Sequence, residues 1–329
     1  MSESRQQHKF SIISLGIIFL AVAASVLLLL NKQQVIDNVR AWQFTPSARI
    51  VDIRSTLKLT PLGKLYFDSS QPSVEAADGF NQNCPQSEPN NPVVGCYSNQ
   101  LIYVYDVKDD RLDGIEETTA AHELLHAAYE RMSDSERIEI DTALEKAYKS
   151  IKTKELEARM DYYKKNEPGE EYNELHSILG TEFTQIGSAL EAHYAKYFED
   201  RGAVLGQYQN YQAVFVQTTK KLDTLAAAIN MRTTKVNIKI TTFKRDQYVL
   251  NADIKAFERR RFTAQQEFDA ERAILLARQD ALNSRVQPLK NEVSAIEKLR
   301  KEYNTVREEY EGLSRSINSS LEPAPVLNG

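Results

Sequence analysis

Only two cysteines, Cys84 and Cys96, occur in 329 residues, which excludes a disulfide-rich scaffold. Glycine (12) and proline (10) are sparse, so collagen-like and low-complexity architectures are excluded too. Basic charge is not in excess. The net charge of −5 at pH 7 leaves no electrostatic footprint for nucleic acid. Histidine is scarce, with five in all, and tryptophan is limited to Trp42. Long apolar runs are missing except one, Phe10 to Leu30. The length still allows two or more domains.

As a helix, the 21 residues from Phe10 to Leu30 reach about 30 Å, the thickness of a bilayer core. The run reads as a retained signal anchor. Ala21-Val22-Ala23 has the chemistry of a cleavage site, but Leu27 to Leu30 continue past it. Arg5 and Lys9 precede the run and set a cytoplasmic N-terminus. The expected topology is a single-pass protein of the cell membrane, with everything after residue 31 outside the cytoplasm. Cys84 and Cys96 flank a loop-like segment, Pro85 to Gly95. In an oxidising compartment they are expected to pair, stabilising the fold by about 2–3 kcal/mol.

The stretch Glu116 to Met132 has no glycine or proline and is rich in alanine and leucine, which favours a helix. Glu116 and Glu117 suit its first turn. Within it lies His122-Glu123-Leu124-Leu125-His126. Residues four apart share a helix face, so both imidazoles can present a nitrogen to one Zn²⁺ ion. Glu123 stands beside them, placed to take a proton from a water that the metal acidifies. The competing reading is a surface helix with two chance histidines. The HELLH motif and its uncharged flanks resemble the signature of the zincin metallopeptidases. That resemblance implies a zinc-dependent peptidase with His122 and His126 as ligands and Glu123 as the general base.

Two histidines leave a catalytic zinc site one protein ligand short. Tyr129 and Met132 stand where the extended three-histidine pattern needs Gly and His. Further on, Tyr172-Asn173-Glu174-Leu175-His176-Ser177 resembles the Asn-Glu-x-x-Ser helix of the gluzincins, the thermolysin-like branch. By that resemblance Glu174 is the third ligand, with Glu182 and His176 as alternatives. The acidic residue that usually follows the serine is Ile178 here, and the segment lies further from the first motif than in the branch's type member. For each of the three, a helix cap or surface contact is the competing reading. Candidates for polarising a developing oxyanion are His193 and Tyr197, with Tyr194 and Arg201 in the same stretch.

The last third follows a different rule. Tyr208, Phe215, Leu222, Ile229, Val236, Phe243, Leu250 and Phe257 recur every seven residues, and so do Phe268, Leu275, Leu282, Leu289, Ile296, Tyr303, Tyr310 and Ile317. Two such series predict two coiled-coil arms, each about 75 Å long. A turn at 258–267 folds them into an antiparallel hairpin, with a continuous dimeric helix as the rival. Thr263-Ala264-Gln265-Gln266 reads as a capping box, and Pro288 is expected to kink the second arm. Leu101 to Val107 is the best strand, and Leu65 to Phe67 is expected to start another.

The expected fold class is mainly α: an α+β zincin-like metallopeptidase domain with a small sheet, a coiled-coil hairpin and one N-terminal transmembrane helix. The expected domains are a cytoplasmic tail (1–9), an anchor (10–30), the zincin-like domain (31–204), the hairpin (205–320) and a tail (321–329). The expected function is a membrane-anchored, extracytoplasmic zinc metalloendopeptidase acting on a protein or peptide substrate. A protein partner is expected at the coiled coil, and the membrane at residues 10–30. The alternative is a non-enzymatic envelope scaffold built on the coiled coil, its zincin domain binding zinc but inactive. A site-2-type intramembrane protease is excluded, because HELLH lies far beyond the apolar run.

Overall fold

The structure is a computed structural model and describes residues 18–19, 25, 31–84 and 93–321. The expected anchor lies outside the described residues except for Ile18, Phe19 and Ser25. Residues 85–92, part of the expected loop, and 322–329, most of the expected tail, lie outside them too. Among the described residues, no helix is long and apolar enough to cross a membrane. These residues are mainly helical with one three-stranded sheet and divide into two compact units. The first runs to Val214 and takes in residues from Ser314 onward; the second is Phe215–Leu313.

The first unit begins with α1 (Lys32–Gln43), α2 (Ala48–Thr56) and α3 (Pro61–Ser69). Leu65 to Phe67 is therefore helix, not strand. Thr60 explains why: its hydroxyl accepts from the Gly63 amide and Pro61 opens the first turn, so the segment before Leu65 is a helix start. Gly63 is required there, since a Cβ would stand 2.1 Å from the Tyr197 carbonyl oxygen.

Strands β1 (Ser73–Glu75), β2 (Gly95–Ser98) and β3 (Leu101–Tyr105) follow, with α4 (Ala77–Asn83) between the first two. The sheet order is β1-β3-β2, parallel on the first side and antiparallel on the second. The strand nearest the HELLH helix in sequence is thus the central one, and β2 is an edge. Cys84 and Cys96 form a disulfide with Cα atoms 5.8 Å apart, tying the end of α4 to β2. Reducing this 12-residue link is expected to lower stability by about 2–3 kcal/mol. Chemical denaturation with and without reductant measures it.

Helix α5 (Ile115–Glu130) carries HELLH through the core. Glu116 and Glu117 do more than suit the helix end. Both are buried and pair with Arg49 at 2.7 and 2.8 Å, and Glu116 also accepts from the Val107 amide at 3.0 Å. Then come α6 (Asp134–Ile151), opened by a capping box of Ser133 and Glu136, α7 (Lys154–Asn166), α8 (Glu171–Glu182) and α9 (Ser188–Tyr194). The core gathers Leu124, Leu125, Ile178, Leu179, Tyr194 and Phe198 among others, all with essentially no exposure.

Helix α10 (Arg201–Arg259) is continuous, and its first turns belong to the first unit because Val204 and Leu205 are buried there. Contacts of Ser316 with Asp109 and of Ser319 with Asn81 place the chain's return in the same unit.

The second unit pairs the rest of α10 with α11 (Gln265–Ser284) and α12 (Val286–Ser316). Phe215 meets Tyr310, Asp246 meets Arg285, Asp253 meets Arg278 and Phe257 meets Phe268. Partners move in opposite sequence directions, so the arms are antiparallel. Leu225, Val236 and Leu250 face a seam shared with Leu282, Ile296 and Val306, all buried. The N-cap of α11 is Ala264, which makes no side-chain cap, so the expected capping box does not form. The second arm breaks at Arg285, between α11 and α12. Pro288 lies just beyond and cannot donate a helical bond back across that point.

Candidate metal centre

Helices α5 and α8 pack closely, and a glycine stands at their contact. Ala120, Ala121 and Ala128 of α5 are buried, and Gly180 of α8 lies so near that a Cβ would stand 2.3 Å from Leu125 Cδ1. This approach brings Glu174 over the HELLH face. His126 Nε2 lies 3.5 Å from Glu174 Oε1, and His122 Nε2 lies 3.7 Å from Glu174 Oε2. The three ligand atoms all fall within 4.8 Å of one another. Ligands about 2.0–2.1 Å from a tetrahedral zinc stand about 3.3 Å apart, so the cluster has nearly the right dimensions.

A second observation supports the fit. Glu174 Oε2 is buried without a hydrogen-bond partner, which costs free energy unless another group meets it. Burial opposes its ionisation, yet His126 and His122 outweigh this and hold the carboxyl down at about 2. Burial would strip His122 of its proton, but Glu174 and Glu123 raise its pKa overall. The cluster sets a carboxylate opposite two imidazoles, a donor set that fits a divalent ion. Glu123 is different: burial drives its pKa up, against the pull of His126 and His122.

Asn173 touches the cluster, and nothing in the sequence alone gave it a role. Its Oδ1 accepts from His126 Nδ1–H at 2.9 Å, and its amide nitrogen donates to Glu170 at 2.9 Å. The second bond orients the amide, and the first places the His126 proton on Nδ1, leaving the Nε2 lone pair facing Glu174. Its position immediately before Glu174 in the Asn-Glu pair was the available signal. Asn173→Ala is expected to weaken zinc affinity about 10–100-fold with little change in stability; competition titration against a chelating dye measures it.

Gly95 is the other missed residue. A Cβ there would stand 2.3 Å from Thr119 Cγ2 and 3.0 Å from Glu123 Oε1. Only glycine lets the edge strand β2 lie directly against the general-base candidate, where the Tyr97 backbone also hydrogen-bonds Glu123.

The alternatives for the third ligand are engaged elsewhere. Glu182 is held by both terminal nitrogens of Arg159, at 2.7 and 2.9 Å. His176 is fully buried and its Nε2 meets His193 Nε2 at 2.8 Å. Two residues after Glu174, it points to a different face of α8. Glu182→Ala is therefore expected to cost about 1–3 kcal/mol of stability by orphaning Arg159, and to leave zinc affinity unchanged. Thermal melts beside a zinc titration separate the two effects.

The candidates for oxyanion assistance are core residues as well. His193 is buried against His176, Tyr194 and Tyr197, and burial lowers its pKa to about 4. Tyr197 stacks on Tyr66 and is 4% exposed. Tyr194 donates to the His176 carbonyl. Arg201 pairs with Glu191 and caps the end of α8 through the Gly180 and Phe183 carbonyls. His193, Tyr194 and Arg201 thus tie α8 to the segment that follows it, while Tyr197 packs on Tyr66 and His193. The chain matches no protein-family model, no curated protein and no solved structure.

Proposed function

We propose that this chain is a membrane-anchored zinc metallopeptidase whose catalytic part lies outside the cytoplasm. The observation that carries the reading is the convergence of His122, His126 and Glu174 from two separate helices beside a buried Glu123. A bound zinc ion would supply Lewis acidity to a water molecule and to the scissile carbonyl. His122, His126 and Glu174 would hold the ion, and Asn173 would orient His126. Glu123 would accept the proton of the attacking water and pass it to the leaving amine. Its burial raises its basicity, which suits that exchange. The β2 edge at Gly95 and Tyr97 would align an extended peptide by strand addition, with Gly95 leaving room beside Glu123. The disulfide agrees with an oxidising compartment.

The test is hydrolysis of an unbiased peptide library by the full chain in detergent. The proposal expects cleavage that a chelator stops and added zinc restores. A zinc-loaded chain that cleaves nothing in the library would favour the scaffold reading, with the antiparallel rod as the working part.

A further inference from the structure

Helix α1 presents an apolar face to solvent. Val35, Val39 and Trp42 fall at i, i+4 and i+7 on one side of the helix, and they are 40%, 47% and 84% exposed. A single exposed apolar residue is ordinary. Three on one face of a 12-residue helix, including the only tryptophan in the chain, call for a partner.

The opposite side of α1 is fixed. Buried Asp37 pairs with Arg131, just past the end of α5, at 2.7 and 3.0 Å. Arg40 donates to the Gln100 side chain and carbonyl at 2.9 and 3.0 Å. The exposed face is thus rigidly tied to the helix that carries His122 and His126.

The chain preceding α1 indicates what covers this face. The apolar run ends at Leu30, and Asn31 alone separates it from the first residue of α1, Lys32. Two residues extend at most about 7 Å, so a bilayer crossed by residues 10–30 is within reach of α1 from its first turn. Tryptophan favours the polar–apolar boundary of a bilayer, and a helix with one apolar face lies in that plane.

We infer that the Val35, Val39 and Trp42 face of α1 rests in the membrane interface, seating the metal cluster close to the bilayer. This rests on the proposed anchor. It also deepens the function: the substrates within reach are polypeptide segments near the membrane surface.

Trp42 is the sole tryptophan, so emission excited at wavelengths beyond tyrosine absorption reports on it alone. The full chain is reconstituted into phosphatidylcholine vesicles with unmodified or brominated acyl chains. Brominated lipid is expected to cut Trp42 emission by about twofold or more, as for an interfacial indole. Val39→Glu, at an exposed position, should lift the face and restore most of that emission. A vesicle-bound chain with unchanged emission would overturn the inference and leave the anchor standing. Equal quenching in Val39→Glu would also overturn it, showing that the tether alone brings the ring near lipid. Emission indifferent to bromine but shielded from acrylamide as protein concentration rises would assign the face to a second copy instead. A chain that does not float with vesicles would remove the anchor and this inference together.

Discussion

Glu123→Gln is expected to lower peptide hydrolysis by about 10²–10⁴-fold, the range for a positioned proton-transfer group. Zinc content should stay at the wild-type level. Glutamine keeps the shape and one carbonyl oxygen at this buried position but cannot accept a proton. Removing a buried, partly frustrated carboxylate should leave stability unchanged or raise it slightly, since desolvation disfavours its charge. Turnover of a cleaved peptide, set beside metal analysis of the same preparation, checks all of this. Equal turnover in both proteins would remove Glu123 from the chemistry.

His126→Ala should weaken zinc binding by more than about 100-fold, above the range for a mere supporting residue. His122→Ala should do the same. Each change deletes one of only two nitrogens in a three-ligand set. In His126→Ala, Asn173 loses its acceptor role as well, so that variant should be at least as severe. Isothermal titration with zinc reads the loss directly. Full occupancy in both variants would place the metal elsewhere.

The sequence was most informative where chemistry depends on local spacing. His122 and His126 are one helical turn apart, so the backbone alone puts them on one face, and α5 forms where its alanines and leucines predict it. The two arms were legible for a similar reason, since a seven-residue period needs no tertiary detail, whereas their antiparallel pairing rested on the break at 258–267. What escaped was set by contacts across the fold. Gly95 has no local signature; its meaning lies in Thr119 and Glu123, more than 20 residues away. Leu65 to Phe67 reads as strand from its apolar side chains, whereas Thr60 and Pro61 commit the backbone to helix. Glu182 and His176 resemble ligands by type, and only Arg159 and His193 show otherwise. β3 was legible as a strand, but its place in the middle of the sheet depends on β1 arriving in parallel from the other side.

The proposed function stands on one zinc ion held jointly by α5 and α8. X-ray absorption at the zinc edge, on the purified full chain and on Glu174→Ala, tests it most directly. One zinc per wild-type chain is expected, with two imidazole nitrogens at about 2.0–2.1 Å and oxygen ligands at about 2.0–2.2 Å. In Glu174→Ala the imidazole signal should remain but with sharply reduced occupancy. Sulfur or only one imidazole in the wild-type spectrum, or an unchanged spectrum and occupancy in Glu174→Ala, would contradict it.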